Sequence, residues 1–397
     1  MPPREGKDLM LAGIDGAPLL TRKTGIGVYT DRLLSGMIAA DPNLDVRLYL
    51  PLPMRQALHR QEKEKMLAEL RQKLPERVTC VPNSFPPKAR RWLWRGTDLF
   101  PVDEILGGVD LYHATNLVMP PLKRAKGVLT VYDLTFMLFP EYHVKGMQAF
   151  ASDMRKFVGR ADRIIAISEH TKRDIVELLD VPAEKIRVTL LAADEKFRVL
   201  DKDAAQHEVL AKYGIDREYI LYTGTLEPRK NVPALVRAFH MLKREAKIPH
   251  RLVLAGKKGW LYDRIFAEVR ELGLEDEVIF TGYVPDDDLP YLYNGADLFA
   301  YPSIYEGFGI PPLEAMACGC PVVASNSSSL PEVVGDAGVM VDPHDEAALA
   351  EAMGKVLADS ALAASLREKG LDRSRLFSWE RCARETLEVY CALIEKG

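Results

Sequence analysis

The chain has 397 residues, which is more than one ordinary domain needs and comfortable for two. Its composition, 47% apolar and 28% charged, is that of an ordinary water-soluble protein, and a net charge of −4 gives no indication of nucleic-acid binding. The five scattered cysteines do not suggest a disulfide framework, so we expect a protein of the reducing cytoplasm. The apolar run 9–14 is too short for a signal peptide, and no later window reaches the length of a membrane-spanning helix. We therefore expect any membrane contact to be peripheral, at the inner membrane face.

Short apolar runs alternate with longer amphipathic stretches along the whole chain, which predicts βα units built around parallel sheets. In the first half, the pattern predicts strands over residues 9–15, 46–50, 109–112, 128–131 and 163–167, and helices over 28–39, 54–72, 145–158 and 169–178. In the second half, it predicts strands over 219–223, 251–255, 277–281, 298–301 and 321–324, and helices over 232–243, 261–271, 287–294, 313–317, 346–357 and 380–395.

A polar stretch, residues 201–208, separates the two series. We therefore predict one domain over residues 1–200, a linker over 201–216, a second domain over 217–376 and a final helix within 377–397. Each domain is predicted to be α/β, with a Rossmann-like, doubly wound sheet. Ligands of such sheets bind outside the carboxyl ends of the strands, so functional residues should lie in loops that follow strands.

A glycine-containing loop follows the predicted strand 298–301, in the segment YPSIYEGFGIPPLEAMACGCP. Gly307 and Gly309 let backbone amides approach a ligand, and the prolines after them suit the start of a helix whose amino end favours a diphosphate. Glu306 precedes this loop, and Glu314 is expected in the first helical turn. Two carboxylates would repel phosphate unless they accepted hydrogen bonds from hydroxyls, so we predict that they hold sugar and ribose hydroxyls. For Glu314 taken alone, a helix cap is the better explanation.

The two glutamates, set in EGFGIPPLEAMACGCPVVAS, resemble those of the retaining glycosyltransferases of family four, which have the GT-B fold. The resemblance runs over nearly the whole chain. It implies two Rossmann-like domains that face a central cleft, the N-terminal one for the acceptor and the C-terminal one for a nucleotide-sugar donor, with the last helix crossing back to the N-terminal domain. It also implies that Glu306 contacts the donor sugar and Glu314 the ribose. The loop between them would face the donor through Gly307, Phe308, Gly309 and Ile310.

A basic turn, YTGTLEPRKN, follows the predicted strand 219–223. Gly224 permits a tight turn, and Arg229 and Lys230 can neutralise a diphosphate leaving group without a metal ion. A solvated pair of surface cations is the alternative. The resemblance assigns the diphosphate contact to Lys230. Some relatives have an arginine where this chain has Thr225, and we expect Arg229 to supply part of that charge.

Two features of the first half also follow predicted strands. Gly25 and Gly27 precede an amphipathic helix, an arrangement that allows close approach of a phosphate or sugar and also occurs in ordinary turns. His113 follows a strand in the segment DLYHATN. By resemblance, the glycines form a donor-binding loop and His113 contacts the donor sugar, whereas a packed histidine is the alternative.

Candidate acceptor residues lie in the segment VYDLTFMLFPEYH, and they are Tyr132, Asp133 and His143. Many relatives have a histidine at the position of Tyr132. For Asp133, a structural role and an acceptor role are equally well supported by the sequence.

The segment 87–95, PKARRWLWR, interleaves basic and aromatic residues. Such a segment can bind a membrane surface or a lipid-linked acceptor. A helix whose tryptophans pack inward is the alternative. The candidate membrane contacts are Arg90, Arg91, Trp92, Trp94 and Arg95.

The sequence contains no zinc motif, no Walker loop and no aspartate pair placed to hold a cation, so we expect no cofactor and no metal ion. The motifs resemble those of bacterial mannosyltransferases of surface polysaccharide assembly, which implies GDP-mannose as donor and a saccharide or lipid-linked glycan as acceptor. A UDP-sugar donor, a nucleotide-sugar epimerase and a non-catalytic nucleotide-sugar-binding subunit are the alternatives.

Overall fold

The computed structural model describes residues 10–20, 25–52, 60–83, 85, 92–95, 97–142, 147–201 and 204–395. The chain forms two compact units. The N-terminal unit consists of Met1–Leu191 and Trp379–Gly397, and the C-terminal unit is Ala192–Ser378. The N-terminal unit therefore ends at residue 191, earlier than the predicted boundary at residue 200.

The predicted linker, residues 201–216, is corrected by the structure, because it contains a helix, Ala204–Lys212, that belongs to the C-terminal unit. Gln206 in this helix is buried, and its amide nitrogen donates to the carbonyl of Tyr291 at 3.4 Å. Just after the helix, the hydroxyl of Tyr213 donates to the carboxylate of Asp288. The polar residues that suggested a linker are therefore those of a surface helix.

A parallel sheet forms the centre of the N-terminal unit. Its described strands are β1 Met10–Asp15, β2 Leu44–Pro51, β3 Val78–Asn83, β4 Leu111–Ala114, β5 Lys126–Val131, β6 Arg163–Ala166 and β7 Ile186–Val188. Their order is β3-β2-β1-β4-β5-β6-β7. Inner strands such as β1 and β5 are almost wholly buried, which is typical of parallel strands covered on both faces. The sequence pattern does not predict β3 and β7, because these edge strands are short or alternate buried and exposed residues.

The helices of this unit include the four predicted ones and two four-residue helices, Val102–Ile105 and Thr135–Leu138, that the sequence pattern does not predict. They are α1 Gly25–Ala40, α2 Arg60–Lys73, α3 Val102–Ile105, α4 Thr135–Leu138, α5 Met147–Arg160 and α6 Glu169–Leu179. Helix α1 starts at Gly25, so Gly25 and Gly27 lie in its first turn and do not precede it. Helix α6 is capped by Ser168, whose hydroxyl accepts from the amide of Thr171 at 3.0 Å.

The C-terminal unit is built around a second parallel sheet. Its described strands are β8 Tyr219–Thr223, β9 Arg251–Ala255, β10 Val278–Gly282, β11 Leu298–Tyr301, β12 Val322–Ser325 and β13 Gly338–Val341, in the order β10-β9-β8-β11-β12-β13. The helices are α7 Ala204–Lys212, α8 Val232–Glu245, α9 Asp263–Glu271, α10 Leu289–Gly295, α11 Ile310–Ala317, α12 Leu330–Val334, α13 Glu346–Ala358 and α14 Ser360–Ser374. The sequence pattern does not predict the edge strand β13 or the helix α14, because β13 is half-buried and α14 buries only two of its residues.

The last helix, α15 Trp379–Ile394, belongs to the N-terminal unit, as predicted. It lies against α1, and a Cβ atom at Gly36 would be 2.8 Å from that of Ala383. In the same helix, the hydroxyl of Tyr390 is 2.7 Å from Nδ1 of His113. Helix α15 is therefore part of the core of the N-terminal unit.

Candidate active site

The strand order of the C-terminal sheet reverses between β8 and β11, whose chain connections lead to opposite sides of the sheet. Ligands of doubly wound sheets bind at such a switch point, beyond the carboxyl ends of the strands. The loop after β8 carries Arg229 and Lys230, and the loop after β11 carries Glu306. The predicted donor residues of the two loops therefore lie together beyond the carboxyl ends of β8 and β11.

Glu306 is the centre of a buried cluster and is only 7% exposed. Its Oε1 accepts hydrogen bonds from Nζ of Lys230 at 2.6 Å, from the hydroxyl of Ser303 at 2.6 Å and from the hydroxyl of Tyr301 at 3.0 Å. Lys230 also donates to the oxygen of Tyr301 at 2.7 Å. One carboxylate oxygen is thus fixed by three donors on β11, the loop after it and the loop after β8.

Arg229 binds the other oxygen of the same carboxylate. Its Nη1 donates to Oε2 of Glu306 at 3.0 Å and to the carbonyl of Tyr305 at 2.7 Å. Its Nη2 donates to Oε1 of Glu227 at 2.8 Å. Two cations therefore face two carboxylates, and the cluster has no net charge when all four groups are ionised.

The protonation of Glu306 follows from these contacts. Burial raises the pKa of Glu306, but Arg229, Lys230 and the hydrogen bonds of Lys230 and Ser303 outweigh it and lower this pKa to about 2. Burial lowers the pKa of Lys230, and Glu306 opposes that shift. Glu306 is therefore a carboxylate at neutral pH, held by its cations.

Glu314 lies in the second turn of α11, one turn later than predicted, because the helix begins at Ile310. Its Oε2 accepts from the hydroxyl of Tyr293 at 2.9 Å, and the hydroxyls of Tyr293 and Thr223 are 2.6 Å apart. Because Tyr293 donates its proton to Glu314, Thr223 must donate to Tyr293. Burial raises the pKa of Glu314 to about 8, in contrast to the cation-paired Glu306.

The glycine loop before α11 has the backbone freedom that the sequence predicts. Gly309 caps the helix with φ of +117°, and a Cβ atom there would be 2.7 Å from Cδ2 of Leu330. Ile310 is the first helical residue, but two prolines follow it and offer no amide. The amino end of α11 therefore presents fewer N–H groups to an anion than an ordinary helix. The side chain of Phe308 is buried, with its ring 5.8 Å from that of Phe377.

A second close approach of backbone occurs after β8. Gly224 has φ of +145°, and its amide donates to the carbonyl of Ala255 at 2.9 Å. A Cβ atom at Gly256 would be 1.8 Å from the carbonyl oxygen of Gly224. Gly256, which the sequence analysis did not single out, is therefore as necessary to this loop as Gly224.

The surroundings of His113 support the alternative of a packed histidine, and its contact with the donor sugar stays a prediction. It lies inside β4, fully buried, with Nδ1 2.7 Å from the hydroxyl of Tyr390 and Nε2 2.7 Å from that of Thr130. Burial lowers the pKa of His113 to about 3, so the ring is neutral. Both ring nitrogens are hydrogen-bonded to these hydroxyls, so neither faces a ligand in this conformation.

The candidate acceptor residues have local partners in the N-terminal unit. The hydroxyl of Tyr132 donates to the carbonyl of Thr115 at 2.6 Å. Oδ1 of Asp133 accepts from the amide of Thr135 at 3.1 Å and from its hydroxyl at 2.6 Å, which supports the structural role. His143 lies outside the described residues. An acceptor role for these side chains stays a prediction.

The basic and aromatic segment divides into inward and outward residues. Trp94 is buried and its indole N–H donates to the carbonyl of Phe100 at 3.3 Å, so it is removed from the predicted membrane contacts. Trp92 is 72% exposed. Arg95 forms an ion pair with Asp153. Arg90 and Arg91 lie outside the described residues.

The hydroxyl groups that support Glu306 were not predicted from the sequence. Tyr301 and Ser303 contact its side chain, and serines of the segment 325–329 bind the backbone of its loop. The one available signal is the polar run SNSSS directly after a buried strand, next to β11 in the sheet.

Comparison with known proteins identifies the family. Residues 23–195 match the family described as Glycosyltransferase Family 4, and residues 205–373 match the one described as Glycosyl transferases group 1. O-antigen chain mannosyltransferase B of Escherichia coli is 39% identical over 283 residues, which are 70% of this chain and 74% of that protein. The chain belongs to glycosyltransferase family four. The predicted family and the predicted GT-B fold class are thereby confirmed.

This glycosyltransferase is also similar to a second mannosyltransferase and, in fold, to a solved structure. Serotype-specific mannosyltransferase WbdA of Escherichia coli is 38% identical over 241 residues, which cover 60% of this chain but only 30% of WbdA. Sucrose-phosphate synthase from Thermosynechococcus elongatus has the same fold, with a TM-score of 0.74 over 98% of this chain and 100% of that one, at 21% identity. Within its described residues, this glycosyltransferase has no helix both long and apolar enough to cross a membrane.

Proposed function

We propose that this glycosyltransferase moves mannose from GDP-mannose to a saccharide or lipid-linked glycan during assembly of a surface polysaccharide. The similarity to O-antigen chain mannosyltransferase B supports the choice of sugar and acceptor class. The observation that carries the proposal is the buried cluster at the switch point, in which Glu306 lies 2.6 Å from Lys230 and 3.0 Å from Arg229.

The two cations of this cluster bind the diphosphate of the donor. The ammonium of Lys230 has three N–H bonds, of which Tyr301 and Glu306 occupy two, so one is left for a phosphate oxygen. Arg229 offers a planar guanidinium that suits phosphate. Because carboxylates now neutralise both cations, a diphosphate must compete with Glu227 and Glu306 for them.

Glu306 and Glu314 bind hydroxyl groups on either side of the diphosphate. Oε1 of Glu306 already accepts three hydrogen bonds, whereas Oε2 accepts one, from Arg229, and has capacity for a sugar hydroxyl. Oε2 of Glu314 accepts from Tyr293, which leaves Oε1 for a ribose hydroxyl. Both carboxyl groups therefore have acceptor capacity for a donor sugar and its nucleoside.

Transfer proceeds with retention of the anomeric configuration and without a metal ion. The bond between C1 of the sugar and the diphosphate oxygen breaks through an oxocarbenium-like transition state, and the acceptor oxygen bonds C1 on the same face. The acceptor proton passes to the departing phosphate. Arg229 and Lys230 stabilise the charge that develops on the leaving oxygen, which is the contribution that a metal ion makes in other enzymes.

The full-length enzyme should be tested with GDP-mannose and with UDP-glucose, using mannose-terminated saccharides as acceptors and EDTA in parallel reactions. We expect GDP release from GDP-mannose at the higher rate, no loss with EDTA, and an α-linked product by NMR. Lys230→Ala and Glu306→Ala should lower turnover by about 10²–10³. The matched control, Glu346→Gln, removes an ion pair with Arg237 in which no residue of this cluster takes part, and it should leave turnover unchanged. Preference for UDP-glucose would refute the donor, and near-normal turnover of either alanine variant would refute the site.

The N-terminal unit contacts a membrane that carries the lipid-linked acceptor. Three apolar side chains close in sequence are largely exposed: Trp92 at 72%, Leu99 at 56% and Phe100 at 54%. Phe85 is also exposed, and its ring lies 5.6 Å from that of Phe100. The sequence between Phe85 and Trp92 carries Lys88, Arg90 and Arg91, a charge that favours anionic headgroups.

Sedimentation with vesicles tests this contact. We expect binding to phosphatidylglycerol vesicles that exceeds binding to phosphatidylcholine vesicles and that falls with salt. Trp92→Glu should reduce it. Tyr283→Glu, which changes a 63% exposed aromatic residue of the C-terminal unit, serves as the control. Equal binding of wild type and Trp92→Glu would remove the proposed contact.

A further inference from the structure

A run of three serines directly after β12, residues 327–329, holds the loop that carries Glu306. The amide of Glu306 donates to the hydroxyl oxygen of Ser328 at 2.9 Å. The hydroxyl of Ser329, which is fully buried, lies 2.6 Å from the carbonyl of Phe308 and 2.9 Å from that of Glu306. The hydroxyl of Ser327 donates to the carbonyl of Ile304 at 2.8 Å. The glutamate loop is therefore bound to a neighbouring loop by three side chains in sequence.

The backbone at Ser328 is unfavourable for a serine. Its φ is +53°, in the left-handed region where glycine has no penalty and most other residues do. A glycine would suit this conformation better, but it would lack the hydroxyl that accepts the amide of Glu306. That hydroxyl also donates to the carbonyl of Ser327 at 2.7 Å, so both of its hydrogen-bonding functions are used.

We infer that Ser328 is a positioning residue for Glu306. Holding the amide of Glu306 fixes the orientation of its peptide and hence the direction in which its side chain leaves the backbone. The carboxylate is then presented to Lys230 and Arg229 at 2.6 and 3.0 Å with one oxygen directed to the donor sugar. This inference rests on the proposed function of Glu306, and it assigns to the serine run a part in catalysis beyond that function.

Two substitutions separate the hydroxyl from the backbone conformation. Ser328→Gly and Ser328→Ala both remove the hydroxyl, but only glycine relieves the positive φ. In the full-length enzyme, we expect Ser328→Gly to melt at a higher temperature than Ser328→Ala. Both should lose about tenfold in kcat, the effect of one misplaced hydrogen bond, with the donor KM changed about twofold or less. If the serine were merely structural, activity would follow stability and Ser328→Gly would be more active than Ser328→Ala.

Lys247→Gly is the matched control, because Lys247 is exposed, has φ of +50° and lies just after α8. It should relieve the same kind of backbone strain and leave kcat unchanged. Glu306→Ala is assayed beside these variants. If Glu306→Ala is inactive and both Ser328 variants keep the wild-type kcat, the positioning role is overturned while the proposed function stands. If Glu306→Ala is active, the proposed function itself fails. Should Ser328→Ala not fold, Ser328→Gly decides alone.

Discussion

Replacing Glu306 by glutamine perturbs the charge cluster while keeping the shape of the side chain. The depression of the pKa of Glu306 from an ordinary 4.5 to about 2 corresponds to about 3 kcal/mol in favour of the carboxylate. Glutamine loses that interaction and leaves Lys230 and Arg229 buried beside a neutral amide. We therefore expect the free energy of unfolding of the C-terminal unit to fall by about 3 kcal/mol and its melting temperature by roughly 6–12 °C.

Calorimetric unfolding at pH 7 measures this loss, with and without GDP or inorganic pyrophosphate. An added diphosphate supplies the missing negative charge, so it should raise the melting temperature of Glu306→Gln by more than that of the wild type. The pKa of Glu306 is depressed in the folded state, so its contribution is complete above about pH 4.5 and is lost as the pH falls towards 2. The difference between the two proteins should accordingly shrink over that interval.

Glu346→Gln is the control, because Glu346 pairs with Arg237 in a partly exposed bridge that contributes about 1 kcal/mol or less. The stabilising role of Glu306 is refuted if Glu306→Gln and Glu346→Gln melt within about 2 °C of each other at pH 7. It is equally refuted if pyrophosphate stabilises the wild type and Glu306→Gln to the same extent, since the cations would then not depend on Glu306.

Three further predictions concern other parts of the two units. The pKa of Glu314 is raised to about 8, so its stabilising contribution is complete below about pH 4.5 and is lost as the pH rises through 8. Glu314→Gln should therefore melt at a higher temperature than the wild type at pH 9. Equal melting temperatures there would contradict the raised pKa of Glu314. Gly309→Ala places a Cβ atom 2.7 Å from Leu330 at φ of +117° and should lower the free energy of unfolding by about 1–3 kcal/mol in a urea titration; an unchanged midpoint would show that the loop relaxes. Tyr390→Phe removes a buried hydrogen bond to His113 and should lower stability by about 1 kcal/mol without changing the donor KM, whereas a raised KM would support His113 as a donor contact.

The fold was predictable because the central strands of both sheets are buried on both faces. The bounds of β8, β9 and β11 agree with the sequence pattern, since each is a short apolar run between polar loops. Among the described edge strands, the pattern predicted β10 but failed at β3, β7 and β13, which lack that signal. It also failed at residues 201–216, where the polar residues on the exposed face of a helix have the composition of a linker.

The candidate site was predictable only to the level of the loops. Lys230 and Glu306 follow strands that turned out to be neighbours, so their proximity could be expected. Their direct ion pair could not be expected, because it depends on the conformations of two loops. His113 shows the cost of a small error: the strand predicted over 109–112 runs over Leu111–Ala114, and a shift of two residues moves the histidine from the strand end into the core. The Ser328 contact joins residues far apart in sequence and has no local signature.

In the proposed donor site, the contacts of Glu306 indicate which parts of the cluster must move when a donor binds. Ser303 and Tyr301 donate hydrogen bonds to one oxygen of its carboxylate, and Ser328 accepts a hydrogen bond from its amide. Both the side chain and the backbone of Glu306 are therefore held in place. Lys230 and Arg229 have longer side chains and more torsional freedom. A diphosphate that enters the site must therefore draw the two cations partly away from a fixed carboxylate. As they move, Oε2 of Glu306 loses its donor from Arg229 and gains capacity for a sugar hydroxyl. Binding of the diphosphate and recognition of the sugar are then coupled, and a nucleoside diphosphate without its sugar should leave that oxygen unsatisfied in a buried site.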